Sequence, residues 1–72
     1  MNIQDRIGKR IKALRAKEDI SQMNLAEASG LDRTYINSIE NGRRNVSIIN
    51  IEKIANAFNL SIKEFFNDTT FN

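Results

Sequence analysis

Apolar residues along this chain recur at three- and four-residue intervals and nowhere alternate with period two, so the pattern predicts helices and no strands. Ile3, Ile7, Ile11 and Leu14 form one such stripe, with Asn2 as a cap before it and basic residues on the opposite face. A second signal recurs four times: an apolar residue, a capping residue, then an apolar residue four positions after the cap. The sets are Ile20, Ser21, Leu25; Leu31, Asp32, Ile36; Val46, Ser47, Ile51; and Leu60, Ser61, Phe65. Each reads as an N-cap paired with a hydrophobic staple, and Glu64, three residues after Ser61, completes a capping box. Helices are expected over roughly 3–17, 22–29, 33–41, 48–58 and 62–67, with Gly42 and Asn59 as left-handed stops. The stripe of the fourth is Ile48, Ile51, Ile54, Ala55 and Phe58. The prediction is an all-α, compact five-helix fold with short connections, forming a single domain over 1–72. Residues 67–72 carry little pattern and are expected to form a loosely held tail.

The segment from Gln22 to Asn41 adds a demand of its own. Ala26 falls where two helices cross most closely, Gly30 supplies the tight turn, and Ile36 and Ile39 point back at the preceding helix. That is the spacing of a helix-turn-helix formed by helices two and three, in which the second of the pair enters the DNA major groove. At about 100° per residue, Arg33, Thr34, Asn37, Ser38 and Asn41 lie opposite the two isoleucines. Arg33 can present its fork to guanine O6 and N7, and Asn37 can pair bidentately with adenine. Thr34 and Ser38 suit several bases, and the Thr34 methyl suits a thymine methyl. Tyr35 falls on the border and serves either packing or contact with a thymine methyl or phosphate. The base-reading candidates are therefore Arg33, Thr34, Tyr35, Asn37 and Ser38.

Affinity for DNA comes mainly from phosphate contacts. Gln22, as the first residue of helix two, can hold a phosphate together with free backbone donors. Asn41, Arg43, Arg44, Asn45, Ser47 and Asn50 form a second donor-rich set, in which Asn50 can instead support the cap of helix four.

Composition excludes more than it adds. A chain of 72 residues has room for one small domain, whose core is marginal alone. It has no Cys and no His, which removes disulfides and the usual zinc-ligand sets, so oligomerisation is the remaining support. Without those residues, without a glycine-rich phosphate loop, and with its carboxylates scattered among Lys and Arg, the chain is not expected to be an enzyme. No cofactor, metal or small-molecule ligand is expected either. No stretch approaches the roughly 20 apolar residues of a membrane span, and no leader-like run opens the chain, so a cytoplasmic location is expected. The formal charge of +2 is modest, but Lys9, Arg10, Lys12, Arg15 and Lys17 crowd helix one, a run that a solvated helix face would also explain.

One recognition helix covers too few base pairs to define a site, which calls for a two-fold dimer on a pseudo-palindromic operator. Ile62, Phe65 and Phe66 share a face, Phe71 follows, and Ile49 lies off the helix-four stripe. Phe65 is assigned to the core through Leu60, and Ile49, Ile62 and Phe66 to a self-complementary dimer interface. The alternative is that all the aromatic residues fill the monomer core.

The run Ser21 to Asn41, together with Arg15 and Glu40, resembles the phage lambda repressor and Cro type of helix-turn-helix, over nearly the whole chain. The segment LDRTYINSIENGRRNVS at 31–47 is similar to controller proteins of bacterial restriction-modification systems. The resemblance implies a lambda-repressor-like DNA-binding domain with the same phosphate role for Gln22. It also implies an ion pair between Arg15 and Glu40 that bridges helices one and three. An exposed pair of that kind is worth about 0–1 kcal/mol, and this one would also hold Arg15 near the DNA backbone. Further implications are autoregulation and control of an endonuclease gene, by repression, activation or both, with dimers on adjacent sites. Activation needs a surface for RNA polymerase, for which resemblance to lambda repressor suggests Glu27, although an ordinary exposed helix acid explains that residue better. Phage repressors and antitoxins share most of these positions, so a phage-type repressor and an antitoxin-like interaction module are the alternatives.

Overall fold

The computed structural model describes all 72 residues. Its helices are α1 (Ile3–Glu18), α2 (Gln22–Ser29), α3 (Arg33–Glu40), α4 (Ile48–Ala57) and α5 (Ile62–Phe66), followed by a single 3-10 turn, Thr69–Phe71. Each start is made by the cap that the sequence predicts. The side chains of Asn2, Ser21, Asp32, Ser47 and Ser61 accept from the backbone N–H of Asp5, Asn24, Thr34, Asn50 and Glu64. Glu64 returns the bond to the Ser61 N–H at 2.9 Å. Asn24 does the same for Ser21, a second capping box that the sequence reading did not include.

Four helix ends share one device. Asp19, Gly30, Gly42 and Asn59 adopt the left-handed conformation, with φ of 54°, 74°, 70° and 60°. The next N–H then bonds five residues back: Ile20 to Arg15, Leu31 to Ala26, Arg43 to Ser38 and Leu60 to Ala55, at 2.9–3.1 Å. Three of those next residues, Ile20, Leu31 and Leu60, are themselves the staple residues of the following helix and pack against the core. Stop, staple and cap are thus successive residues, which is why the connections are so short.

The core comprises Ile7, Ile11 and Leu14 of α1, Leu25 and Ala26 of α2, Ile36 and Ile39 of α3, Ile51, Ile54 and Ala55 of α4, with Phe58 and Phe65. α3 packs on α1 and α2, α4 on α2 and α5, and the 3-10 turn on α1. Two expected stripe members fail: Ile3 and Ile48 are 55% and 62% exposed. Each is the first residue of its helix, where the stripe runs past the edge of the core. The tail, expected to be loose, is instead folded back. Asp68 caps the 3-10 turn, and Phe71 packs on Phe66 with ring centroids 4.9 Å apart. Arg10 donates to the carbonyls of Phe65 (2.8 Å) and Glu64 (3.1 Å) and pairs with Asp68 at 3.2 Å. No helix is long and apolar enough to cross a membrane.

Candidate nucleic-acid interface

α3 divides cleanly between two environments. Ile36 and Ile39 are sealed against the core, whereas Arg33, Thr34, Asn37 and Asn41 are exposed and Ser38 and Tyr35 are half-buried. The helix can hold this position because Gly8 of α1 lies against its last turn. A Cβ there would come within 2.6 Å of the Ile39 carbonyl oxygen and 2.7 Å of that of Glu40. Sequence reasoning missed Gly8, although a glycine in mid-helix costs about 1 kcal/mol relative to alanine and is a signal in itself.

Behind the exposed face runs a chain of polar side chains. Arg15 donates Nε to Glu40 Oε2 at 2.6 Å and Nη2 to Oε1 at 2.8 Å, and its Nη1 bonds the Ile20 carbonyl at 3.0 Å. The Glu40 side chain is 1% exposed and that of Arg15 20%. This corrects the expectation of an exposed pair, because a bidentate bridge to a buried carboxylate leaves a charge unpaired if either partner is lost. That cost is typically about 3–5 kcal/mol. The hydrogen bond to Glu40 raises the pKa of Arg15 above its ordinary value, against burial, which lowers it. Nε, Nη1 and Nη2 each make one bond inward, so Arg15 braces α1 against the end of α3 and against the Ile20 carbonyl, with one N–H on each of Nη1 and Nη2 left over.

Gln22 continues the chain. Its Nε2 donates to Glu40 Oε1 at 3.0 Å, and its Oε1 accepts from Asn37 Nδ2 at 3.3 Å. Asn41 Nδ2 in turn donates to the Asn37 carbonyl at 2.9 Å and to its Oδ1 at 3.3 Å. Gln22, Asn37 and Asn41, assigned separately from the sequence, are one connected unit.

The segment 41–47 joins the same surface. Arg43, Arg44, Asn45 and Ser47 are exposed along it. Arg44 stacks over the Tyr35 ring at 4.9 Å, and Asn45 accepts from Gln4 at the start of α1, a partner the sequence reading did not name. Ser47 caps α4, and Asn50 donates Nδ2 to the Tyr35 hydroxyl at 3.0 Å. Asn50 thus ties α4 to α3, and its amide is directed at Tyr35. The basic run of α1 does not form one face: Arg10 and Arg15 turn inward, while Lys9 and Lys12 line a shallow hollow beside Asp5, Glu40 and Asn41 at the end of α3. Of the residues assigned to a dimer interface, Ile49 is 64% exposed. Ile62 and Phe66 are half-buried against the core, and Phe66 stacks edge-on against Phe65 at 5.1 Å.

Comparison with known proteins places this geometry in context. A helix-turn-helix family profile matches residues 11–65. The control protein C.MunI of a Mycoplasma species is 47% identical over 68 residues, which cover 93% of this chain and 92% of that protein. The restriction-modification controller protein C.AhdI of Aeromonas hydrophila superposes with a TM-score of 0.83 at 43% identity, over 88% of this chain and 96% of that one. The controller protein C.Esp1396I, solved as a tetramer with its natural 35 base-pair operator, gives a TM-score of 0.85 at 35% identity, over 92% and 87%. Solved variants of C.Esp1396I replace an arginine, a threonine and a tyrosine at three consecutive positions. This chain belongs to the helix-turn-helix family and, within it, to the controller proteins of restriction-modification systems.

Proposed function

We propose that this chain is a sequence-specific transcriptional regulator that binds a pseudo-palindromic operator as a homodimer, each copy placing α3 in the major groove. The observation that carries the reading is the division of α3, with Ile36 and Ile39 buried and Arg33, Thr34 and Asn37 exposed on the opposite face. Arg33, Thr34, Asn37 and Ser38 read base edges. Tyr35 stands beside them under Arg44, held by Asn50. Arg33 to Tyr35 is the one Arg-Thr-Tyr run in this chain, in the same order as the arginine, threonine and tyrosine replaced at consecutive positions in C.Esp1396I. Gln22, Asn41, Arg43, Arg44, Asn45 and Ser47 hold phosphates around it. The dimer forms through Ile49 and the exposed edges of Ile62 and Phe66, with two dimers filling adjacent sites, as the tetrameric C.Esp1396I complex suggests. The regulated genes are its own and that of a restriction endonuclease, in the cytoplasm. Glu27, exposed on α2, is the surface offered to RNA polymerase where the output is activation.

The test is selection of bound duplexes from a random DNA pool at physiological salt. A two-fold motif is expected, with half-site centres about 34–36 Å apart. Arg33→Ala relaxes preference at one base pair per half-site and costs about 1–3 kcal/mol. No enrichment over salt-sensitive nonspecific binding would reject the reading and favour an antitoxin-like module whose fold serves a protein partner.

A further inference from the structure

The exposed face of α3 is joined to the buried ion pair by hydrogen bonds whose direction is set at one end. Glu40, paired with Arg15, presents carboxylate oxygens that only accept. Gln22 must therefore turn its NH2 group towards Glu40, as it does at 3.0 Å, which leaves its carbonyl oxygen facing α3. That oxygen can only accept, so Asn37 turns its own NH2 towards Gln22, at 3.3 Å. The carbonyl oxygen of Asn37 is then on the far side, where Asn41 Nδ2 donates to it at 3.3 Å. Both flanks of the Asn37 amide are occupied. One N–H and one oxygen lone pair remain uncommitted, which is the pair that adenine N7 and N6–H2 require in the major groove.

We infer that Gln22 is a positioning residue for sequence reading: it transmits the fixed polarity of the Arg15–Glu40 pair to Asn37 and so selects which way the Asn37 amide faces the base. This rests on the DNA-reading role proposed for α3. A carboxamide has two orientations that differ by exchange of oxygen and nitrogen, and a freely turning Asn37 would present either to the groove. Only one matches adenine. With the orientation set before DNA arrives, the ordering cost of choosing it at the interface is removed. Gln22 at the start of α2 thereby contributes to specificity at a base it does not touch, through a carboxylate at the end of α3.

Positioning is a role for Gln22 beyond the phosphate contact proposed above, and the two leave different signatures. Loss of a phosphate contact weakens binding to all sequences alike, whereas loss of positioning removes preference at one base pair. The experiment is selection from a random duplex pool with wild type, Gln22→Ala, Asn37→Ala and the double variant. Asn37→Ala identifies the base pair that Asn37 reads, where wild-type discrimination of about 5- to 150-fold is expected for a bidentate pair. Gln22→Ala should lower discrimination several-fold at that position, leave the position read by Arg33 unchanged, and have no further effect there in the Asn37→Ala background. Uniform weakening by Gln22→Ala with every base preference retained would overturn the inference. Absence of any motif with the wild-type chain would overturn the DNA-reading role itself, a distinct result. Asn41→Ala, at an exposed position outside the core, releases the other flank of the amide. It should relax the same base pair, and it keeps the inference testable if Gln22→Ala folds poorly.

Discussion

At the scale of single residues, Gly8 decides how closely α1 and α3 approach. The two oxygens an alanine methyl would meet, at 2.6 and 2.7 Å, are backbone carbonyls at the end of α3 and cannot rotate away as a side chain could. Alanine gains about 1 kcal/mol of helix propensity over glycine, but overpacking of this kind costs about 1–3 kcal/mol and requires the helices to part. Gly8→Ala is therefore expected to lower the melting temperature, by about 4–8 °C for each kcal/mol lost in a domain of this size. Because Glu40 is displaced with the turn it sits on, specific DNA affinity should fall as well. A thermal melt showing the variant to be more stable would mean that propensity outweighs the clash. Arg15 illustrates the same scale differently. Its pairing with Glu40 was legible from family resemblance, but the burial of that carboxylate was not, because it depends on what α2 and Gln22 bring over it.

At the scale of elements, the starts of the helices and all their left-handed stops but Asp19 were legible because they are made by residues two to five apart. The five-residue α5 is the exception that needs outside help, since a helix that short does not stand alone. Its support includes two carboxylates. Glu64 is held below its ordinary 4.5 by the backbone N–H and hydroxyl of Ser61. Asp68 is held below its ordinary 3.8 by the hydroxyl and backbone N–H of Thr70, with the charge of Arg10 adding to them. A carboxylate with a depressed folded-state pKa stabilises the fold fully above its unfolded value and loses that contribution as pH falls through the folded one. The melting temperature should therefore drop as the pH is lowered below 4.5. Glu64→Gln, which keeps an accepting oxygen without the titration, should flatten part of that drop. An equally steep fall in the variant would remove Glu64 as a contributor.

At the scale of the whole molecule, the question is which apolar surface a second copy covers. Ile49 and its neighbour Ile48 are 64% and 62% exposed on the first turn of α4, an apolar pair that the chain itself leaves mostly uncovered. Phe66 is a poorer probe than its position in sequence suggests, because it stacks on both Phe65 and Phe71 and a charge there would disturb the core. Ile49→Glu is the cleaner change. It should leave the monomer folded, shift sedimentation from dimer to monomer and weaken operator binding. An unaltered dimer would place the interface elsewhere.

The helices, their caps, most of the core and the division of α3 into a buried and an exposed face could be read along the chain. All of these follow from periodicity and from bonds between near neighbours, which a linear pattern records. The packing of the helices against one another set the rest. It ended the stripes at Ile7 and Ile51 by leaving Ile3 and Ile48 beyond the core. It turned Arg15 towards a carboxylate 25 residues away and Arg10 towards acceptors 54 to 58 residues away, so that both are half-buried and paired within the fold. It also joined Gln22, Asn37 and Asn41 into one unit. Such pairings depend on how whole helices cross, and no spacing along the chain encodes which donor will meet which acceptor.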